Sequence, residues 1–321
     1  MKILPEFWLR TPPALFPCLL GFIGLGLAWR RAAEIWSVTP WIGEGILLVS
    51  CVLFMATGTF YHMKLSLRPS IIFDDLKVGP ARGAVSAGSM CLMLYATALT
   101  PYMYELAQLC WWAAVLQHAA YMVCVTLSLA KSHTKLSEVN PTLILPFVGY
   151  IVASIGGPGL GHTTLSGFFL LITIPGCLFI ITISLINLRK YSINKTLRAS
   201  YFIILAPLSI YGIGAFYIWP TEIYTFFWYI ALICGLCMLP FLGWFSTGGW
   251  TPAWGAFTFP LSVFAGVMLT GAQSHFGLIA DIGSVVSLGI ATLVVPYVVW
   301  KTYRHWLEGK LAHSTGAVVL K

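Results

Sequence analysis

Few side chains in this sequence could do chemistry, and their surroundings argue against most of it. Cys234 and Cys237 form a C-x-x-C, the spacing of redox dithiols and zinc sites. They fall one helical turn apart in an apolar run with no His, Asp or Lys beside them. All eight cysteines lie in such runs, which reads as small buried hydrophobes. His118, next to Gln117 and near Trp111 and Trp112, sits inside another apolar run. A polar residue there is a candidate for function, and equally for a neutral imidazole bonded to a neighbouring helix. Asp74 and Asp75 stand among Lys and Arg and read as a solvated charge cluster, and Glu44 as a side chain reaching the interface. Gly156-Gly157-Pro158-Gly159 is a turn without phosphate-loop spacing. No Ser–His–Asp set, no carboxylate pair in apolar surroundings and no metal-ligand spacing on one helix face is present. Neither an enzyme nor a cofactor or metal site is expected. A haem-binding membrane anchor, the different-class alternative, would need facing His pairs, and only His62 and His118 lie in apolar runs.

The elements that must position these residues are membrane helices. Hydrophobic residues make up 59% of the 321 and charged residues 9%, well below the roughly 25% that a water-facing surface requires. Thirteen Trp suit interfacial belts. The net charge of +8 does not indicate nucleic acid, because the basic residues sit in short loops between apolar runs. Ten segments are near the length of a spanning helix: 14–29, 41–63, 83–99, 103–130, 142–157, 163–188, 200–219, 222–246, 252–271 and 282–300. They read as one transmembrane domain over 1–321. The first is expected to be retained, since no small-residue cleavage site follows it. With the N-terminus in the cytoplasm, 16 of the 18 Lys and Arg fall inside, leaving only Arg30 and Arg31 outside. Both termini are then cytoplasmic, and the sequon Asn194-Lys195-Thr196 is set aside as cytoplasmic. Short outer turns pair the segments into five outward-pointing hairpins.

The odd segments contain no charged residue and no His, and four carry a proline followed by a glycine: Pro17…Gly21, Pro146…Gly149, Pro207…Gly212 and Pro260…Gly266. Proline frees a backbone carbonyl, so these helices suit either the lining of a wet cavity or ordinary kinks in a packed bundle. All five odd helices would point their positive dipole ends at the basic inner loops. An electropositive mouth leading into an uncharged path attracts anions and offers no carboxylate ring for cations.

Several stretches taken in order resemble the tellurite-resistance/dicarboxylate transporter family, which includes bacterial TehA, the yeast malate permease, fungal sulfite exporters and plant guard-cell slow anion channels. They are Phe16-Pro17 with Gly21, Gly24 and Gly26 leading to Trp29-Arg30, then Asn140-Pro141-Thr142 through Pro146-Phe147-Val148-Gly149, then Ala206-Pro207, and last Trp254 through Phe257-Thr258-Phe259-Pro260. The resemblance implies an all-α membrane protein of ten transmembrane helices, arranged as five hairpins around a central pore. It implies odd helices lining that pore, a homotrimer, and a bacterial inner-membrane location. It places a pore-blocking phenylalanine at Phe259, with Phe257 as the alternative. The two lie about 200° apart on a helix, so both cannot face one narrow pore. Gly21 would keep the pore clear, and Pro17, Pro146, Phe147, Pro207 and Pro260 would line it or kink its helices. The partners implied are lipid and small inorganic or organic anions. Passive conduction and proton-coupled export of dicarboxylate, sulfite or tellurite both stay open, although the lack of mid-membrane acids favours the passive route.

Overall fold

The computed structural model describes residues 7–319, so Lys2 and Lys321 of the basic count lie outside the described residues. Among these residues the chain forms helices and no strand. Every apolar segment is helical, and the protein is an all-α, multi-pass integral membrane protein. Helices one to ten run Leu15–Trp36, Trp41–Leu67, Gly79–Leu99, Tyr104–Lys131, Pro141–Gly156, Thr163–Lys190, Lys195–Ile218, Thr221–Phe245, Pro252–Gln273 and Leu278–Leu307. Eight are long and apolar enough to cross a membrane. The other two are helix five, which is short, and helix three, whose Gly79, Gly83, Ser86, Gly88 and Ser89 dilute its apolar character. Two short helices, Ile71–Asp75 and Lys310–Thr315, sit beyond the inner ends of helices two and ten.

Helix one departs from its sequence boundary. It continues past Trp29 through Arg30, Arg31 and Glu34 and stops at Ser37, whose φ of 53° turns the chain out of the helix. Arg and Glu are good helix formers, so a change from apolar to charged residues ends a hydrophobic stretch without ending the helix.

Sequential helices pack as antiparallel pairs, and the odd members form a closed ring in the order one, three, five, seven, nine and back to one. The even members lie outside. In helices one, seven and nine, 72%, 78% and 83% of the apolar stretch is buried, against 22–33% in all five even helices. An even helix therefore turns most of its surface outward to lipid, while an odd helix is surrounded by protein. Polar contacts dock the outer helices: Trp29 Nε1 donates to Thr292 Oγ1 at 2.9 Å, Tyr95 to Ser50 Oγ at 2.9 Å, and the Thr57 and Tyr303 hydroxyls lie 2.7 Å apart. Such bonds serve as glue where lipid supplies no hydrophobic drive for association.

The ring closes at the seam between helices one and nine. A Cβ on Gly21 would lie 2.3 Å from Thr258 Cβ and 2.4 Å from its backbone, so only glycine fits. Thr258 Oγ1 donates to the Pro17 carbonyl at 2.9 Å, and Ser262 Oγ to the Gly21 carbonyl at 2.7 Å. Gly21→Ala is expected to force the seam apart at a cost of at least about 3 kcal/mol. Folded yield and melting temperature in detergent should fall sharply for it and stay unchanged for Gly58→Ala, where a Cβ meets nothing within 4 Å.

Candidate functional site

A cavity of about 450 Å³ opens between the N-terminal ends of the odd helices. All five contribute to its wall, among them Pro17 and Leu20, Met90, Val148 and Gly149, Ile203 and Ile210, and Phe259 and Pro260. No Asp, Glu, Lys, Arg or His lies among the described lining residues. The few polar ones, such as Thr142, Thr196, Ser200 and Thr251, gather where the odd helices begin.

The backbone of this wall is irregular. Pro17, Pro146 and Pro207 fall in the first turn of their α-helical stretches, where no helical donor is lost. Pro260 lies inside helix nine and removes the helical donor from the carbonyl of Ala256, which lines the cavity. Helices five and seven are irregular at the same level. Helix five switches to 3₁₀ geometry over Gly149–Val152, and helix seven opens with a ten-residue 3₁₀ run, Lys195–Ile204. Runs that long are uncommon, and irregular backbone at membrane depth occurs where it is shielded or faces a cavity. Pro17, Pro207 and Pro260 touch the cavity, whereas Pro146 is not among its described lining residues.

Phe259 lines the cavity and is 6% exposed. Its ring lies against Gly24, where a Cβ would sit 3.5 Å from Cδ2. Phe257 turns away and packs on Phe202, ring centroids 5.0 Å apart, and on Trp254 at 5.4 Å. Gly21 is absent from the wall because it is spent in the seam with Thr258; the glycine facing the Phe259 ring is Gly24, one turn on. Phe147 also lies off the wall. Ile144, Leu145 and Val148 share the cavity face of helix five, whereas Phe147 packs with Leu76, Val85 and Val125.

Several polar residues sit elsewhere than their sequence context implies. Glu44 does not simply reach the interface but holds Arg30 through two oxygens, at 2.8 and 3.0 Å. His118 is buried, its Nδ1 2.9 Å from Ser89 Oγ on helix three, and its ring fills the space a Cβ on Gly149 would need. His62 bonds the Gly58 carbonyl of its own helix at 2.7 Å, so the two imidazoles do not form a facing pair. Asp74 does belong to a surface cluster, with Arg68 at 2.6 Å and Lys77 at 2.8 Å. Its neighbour Asp75 is fully buried. It accepts from the Val318 amide at 3.0 Å and the Tyr61 hydroxyl at 3.3 Å, with Lys64 at 4.0 Å. It thereby anchors the C-terminal segment, whose Ser314–Ala317 complete the cavity mouth. Neither Asp75 nor this segment carried a sequence signal, since adjacent aspartates look alike until a helix separates them by about 100°.

Burial pushes the Asp75 carboxyl above the ordinary carboxylate range, against Lys64, the Val318 amide and Tyr61, which pull it down. The folded state thus holds this proton more tightly than the unfolded chain, and the group's stabilising contribution is lost as pH rises through the raised value.

The class defined by these features is a polytopic α-helical membrane protein built around an enclosed, uncharged cavity. Residues 10–303 match the family model SLAC1, voltage-dependent anion channel. The chain belongs to that family, whose members are anion channels or transporters. No curated protein matches it.

Asp75→Ala strips buried Lys64 of its carboxylate and Val318 of its acceptor, a loss of about 3 kcal/mol for a broken buried pair. Hydrogen exchange over 311–318 should accelerate in that variant and stay at the wild-type rate in Asp74→Ala.

Proposed function

We propose that this protein conducts small anions passively through the axis of its odd-helix ring, with Phe259 as the gate. The observation that supports the reading is that Phe259 is a wall residue of a cavity to which all five odd helices contribute and whose described lining residues are uncharged. An aromatic ring in a narrow apolar path blocks ions sterically and by excluding water. The N-termini of the five lining helices point their positive dipole ends at the cavity mouth. At that end of the bundle Lys131, Arg189, Lys190 and Lys195 are exposed, which raises the local anion concentration. The same reading has all ten helices crossing the membrane as a single transmembrane unit, both termini in the cytoplasm, and a homotrimer in a bacterial inner membrane.

A second reading is a proton-coupled carrier or exporter of dicarboxylate, sulfite or tellurite. The observation favouring it is the buried imidazole of His118 directly behind Gly149 of the cavity wall. Flux that depends strictly on a proton gradient, and loses that dependence in His118→Gln, would establish it over passive conduction.

Phe259→Ala should raise anion current per folded protein severalfold in liposomes, and Phe257→Ala should lower folded yield without opening a path. Burial alone predicts only the cost of a core Phe→Ala change, about 3–5 kcal/mol in soluble proteins, and no current. Under a KCl gradient the reversal potential should lie near the chloride equilibrium value. A reversal near the potassium value, or no gain of current in Phe259→Ala, rules the reading out.

A further inference from the structure

Heptad spacing on three ring helices carries the cavity face outward past Phe259. On helix one the positions are Pro17, Gly24 and Arg31; on helix seven, Ile203, Ile210 and Tyr217; on helix nine, Phe259, Gly266 and Gln273. Seven residues make nearly two full turns, with a drift of only about 20°. The third member of each set therefore lies above the cavity wall at the opposite mouth. Arg31, Tyr217 and Gln273 meet there. Arg31 Nη1 donates to Gln273 Oε1 at 2.8 Å and Nη2 donates to the Tyr217 hydroxyl. The guanidinium also lies over the Phe216 and Tyr217 rings, 5.3 and 5.2 Å from their centroids. Helix nine stands between helices one and seven in the ring, so this side chain reaches across the mouth.

Arg31 differs from its neighbour in one respect that bears on function. Arg30 is neutralised by Glu44 in a two-pronged pair and also donates to the Ala98 carbonyl at 3.0 Å. Arg31 has only neutral hydrogen-bond partners, and among the described residues no carboxylate lies within 4.0 Å of it. The nearest acid along the helix, Glu34, is exposed. Glu34 acts on this cation only at a distance, without a direct ion pair, so a half-buried guanidinium held against aromatic rings is left with charge that an anion can join. A snorkelling arginine would turn out to the headgroups instead. Two of the five guanidinium N–H groups are used, and the rest are available in a planar fork that fits a planar oxyanion.

We propose that Arg31, oriented by Tyr217 and Gln273, is an anion-binding station at the mouth opposite the basic loops, taking a small planar oxyanion such as nitrate or a carboxylate. It rests on reading the ring axis as the conduction path. Anions leaving or entering past Phe259 pause on this guanidinium, which supplies the only full positive charge on the three heptad faces.

The test is nitrate current through Phe259→Ala in planar bilayers, with and without Arg31→Gln. Loss of a charge-assisted contact should raise the half-saturating nitrate concentration about ten-fold on one face of the membrane only. Arg31→Lys and Tyr217→Phe, which keep the charge but lose the fork or its orientation, should fall between. An equal shift on both faces, or none, overturns the proposal. If Phe259→Ala carries no current, the gate reading fails separately, and the station is read from melting of the wild-type protein. Nitrate should then raise the melting temperature over gluconate at matched ionic strength, and Arg31→Gln should abolish that gain. A gain retained in Arg31→Gln overturns the station.

Discussion

The contact between helices one and nine is the constraint on which the rest of the structure depends. It joins residues 241 positions apart and turns a row of hairpins into a closed ring. The seam works because a glycine on one helix meets a threonine and a serine on the other. Gly21 lets the backbones touch, and the hydroxyls of Thr258 and Ser262 donate to carbonyls that helix one leaves within reach. In a membrane such close packing and interhelical hydrogen bonding replace the hydrophobic drive that would assemble the same bundle in water. Open the seam, and the cavity loses its enclosure and the Phe259 ring loses the surface of Gly24 against which it rests.

Within the closed ring, the helices give up regularity where they face the cavity. Pro260 removes the helical donor from the Ala256 carbonyl of the wall, and helices five and seven contain 3₁₀ stretches at that level. Irregular backbone at membrane depth is tolerated where it is shielded or faces a cavity. The outer helices carry the opposite burden. They turn most of their surface to lipid and pack on the ring along one face, where the Trp29, Trp111 and Trp228 indoles and the Tyr95 hydroxyl bridge the two layers.

Charge is distributed by the same logic. Near the ends of the bundle Arg30 is paired with Glu44 and Lys64 with Asp75, while buried Arg82 donates to the Leu76 carbonyl at 2.8 Å. Among the described residues the cavity wall carries no ionisable side chain. The one cation above the wall with neutral partners alone is Arg31. In the conduction path proposed above, weak dipoles along the wall, a basic mouth at one end and a single guanidinium at the other would bias permeation toward anions without a deep well to trap them.

Hydropathy and basic-residue placement made ten helices and their hairpin pairing legible in the sequence, because lipid demands long apolar runs and the alternation of loop charge leaves few topologies. The order of proline and glycine motifs along the chain led to the family. Helical period also made it legible that Phe257 and Phe259 face different ways. Which of them meets the cavity, and that Gly24 rather than Gly21 faces its ring, was decided by the ring's closure, since periodicity names the residues on a face but not what that face meets. The same holds for Asp74 and Asp75, adjacent in sequence yet one solvated and the other buried under the C-terminal segment. It holds for Arg31, which composition placed in a loop beyond helix one and the structure places on the heptad face of Pro17 and Gly24, because a helix ends where its backbone turns and not where its apolar run stops.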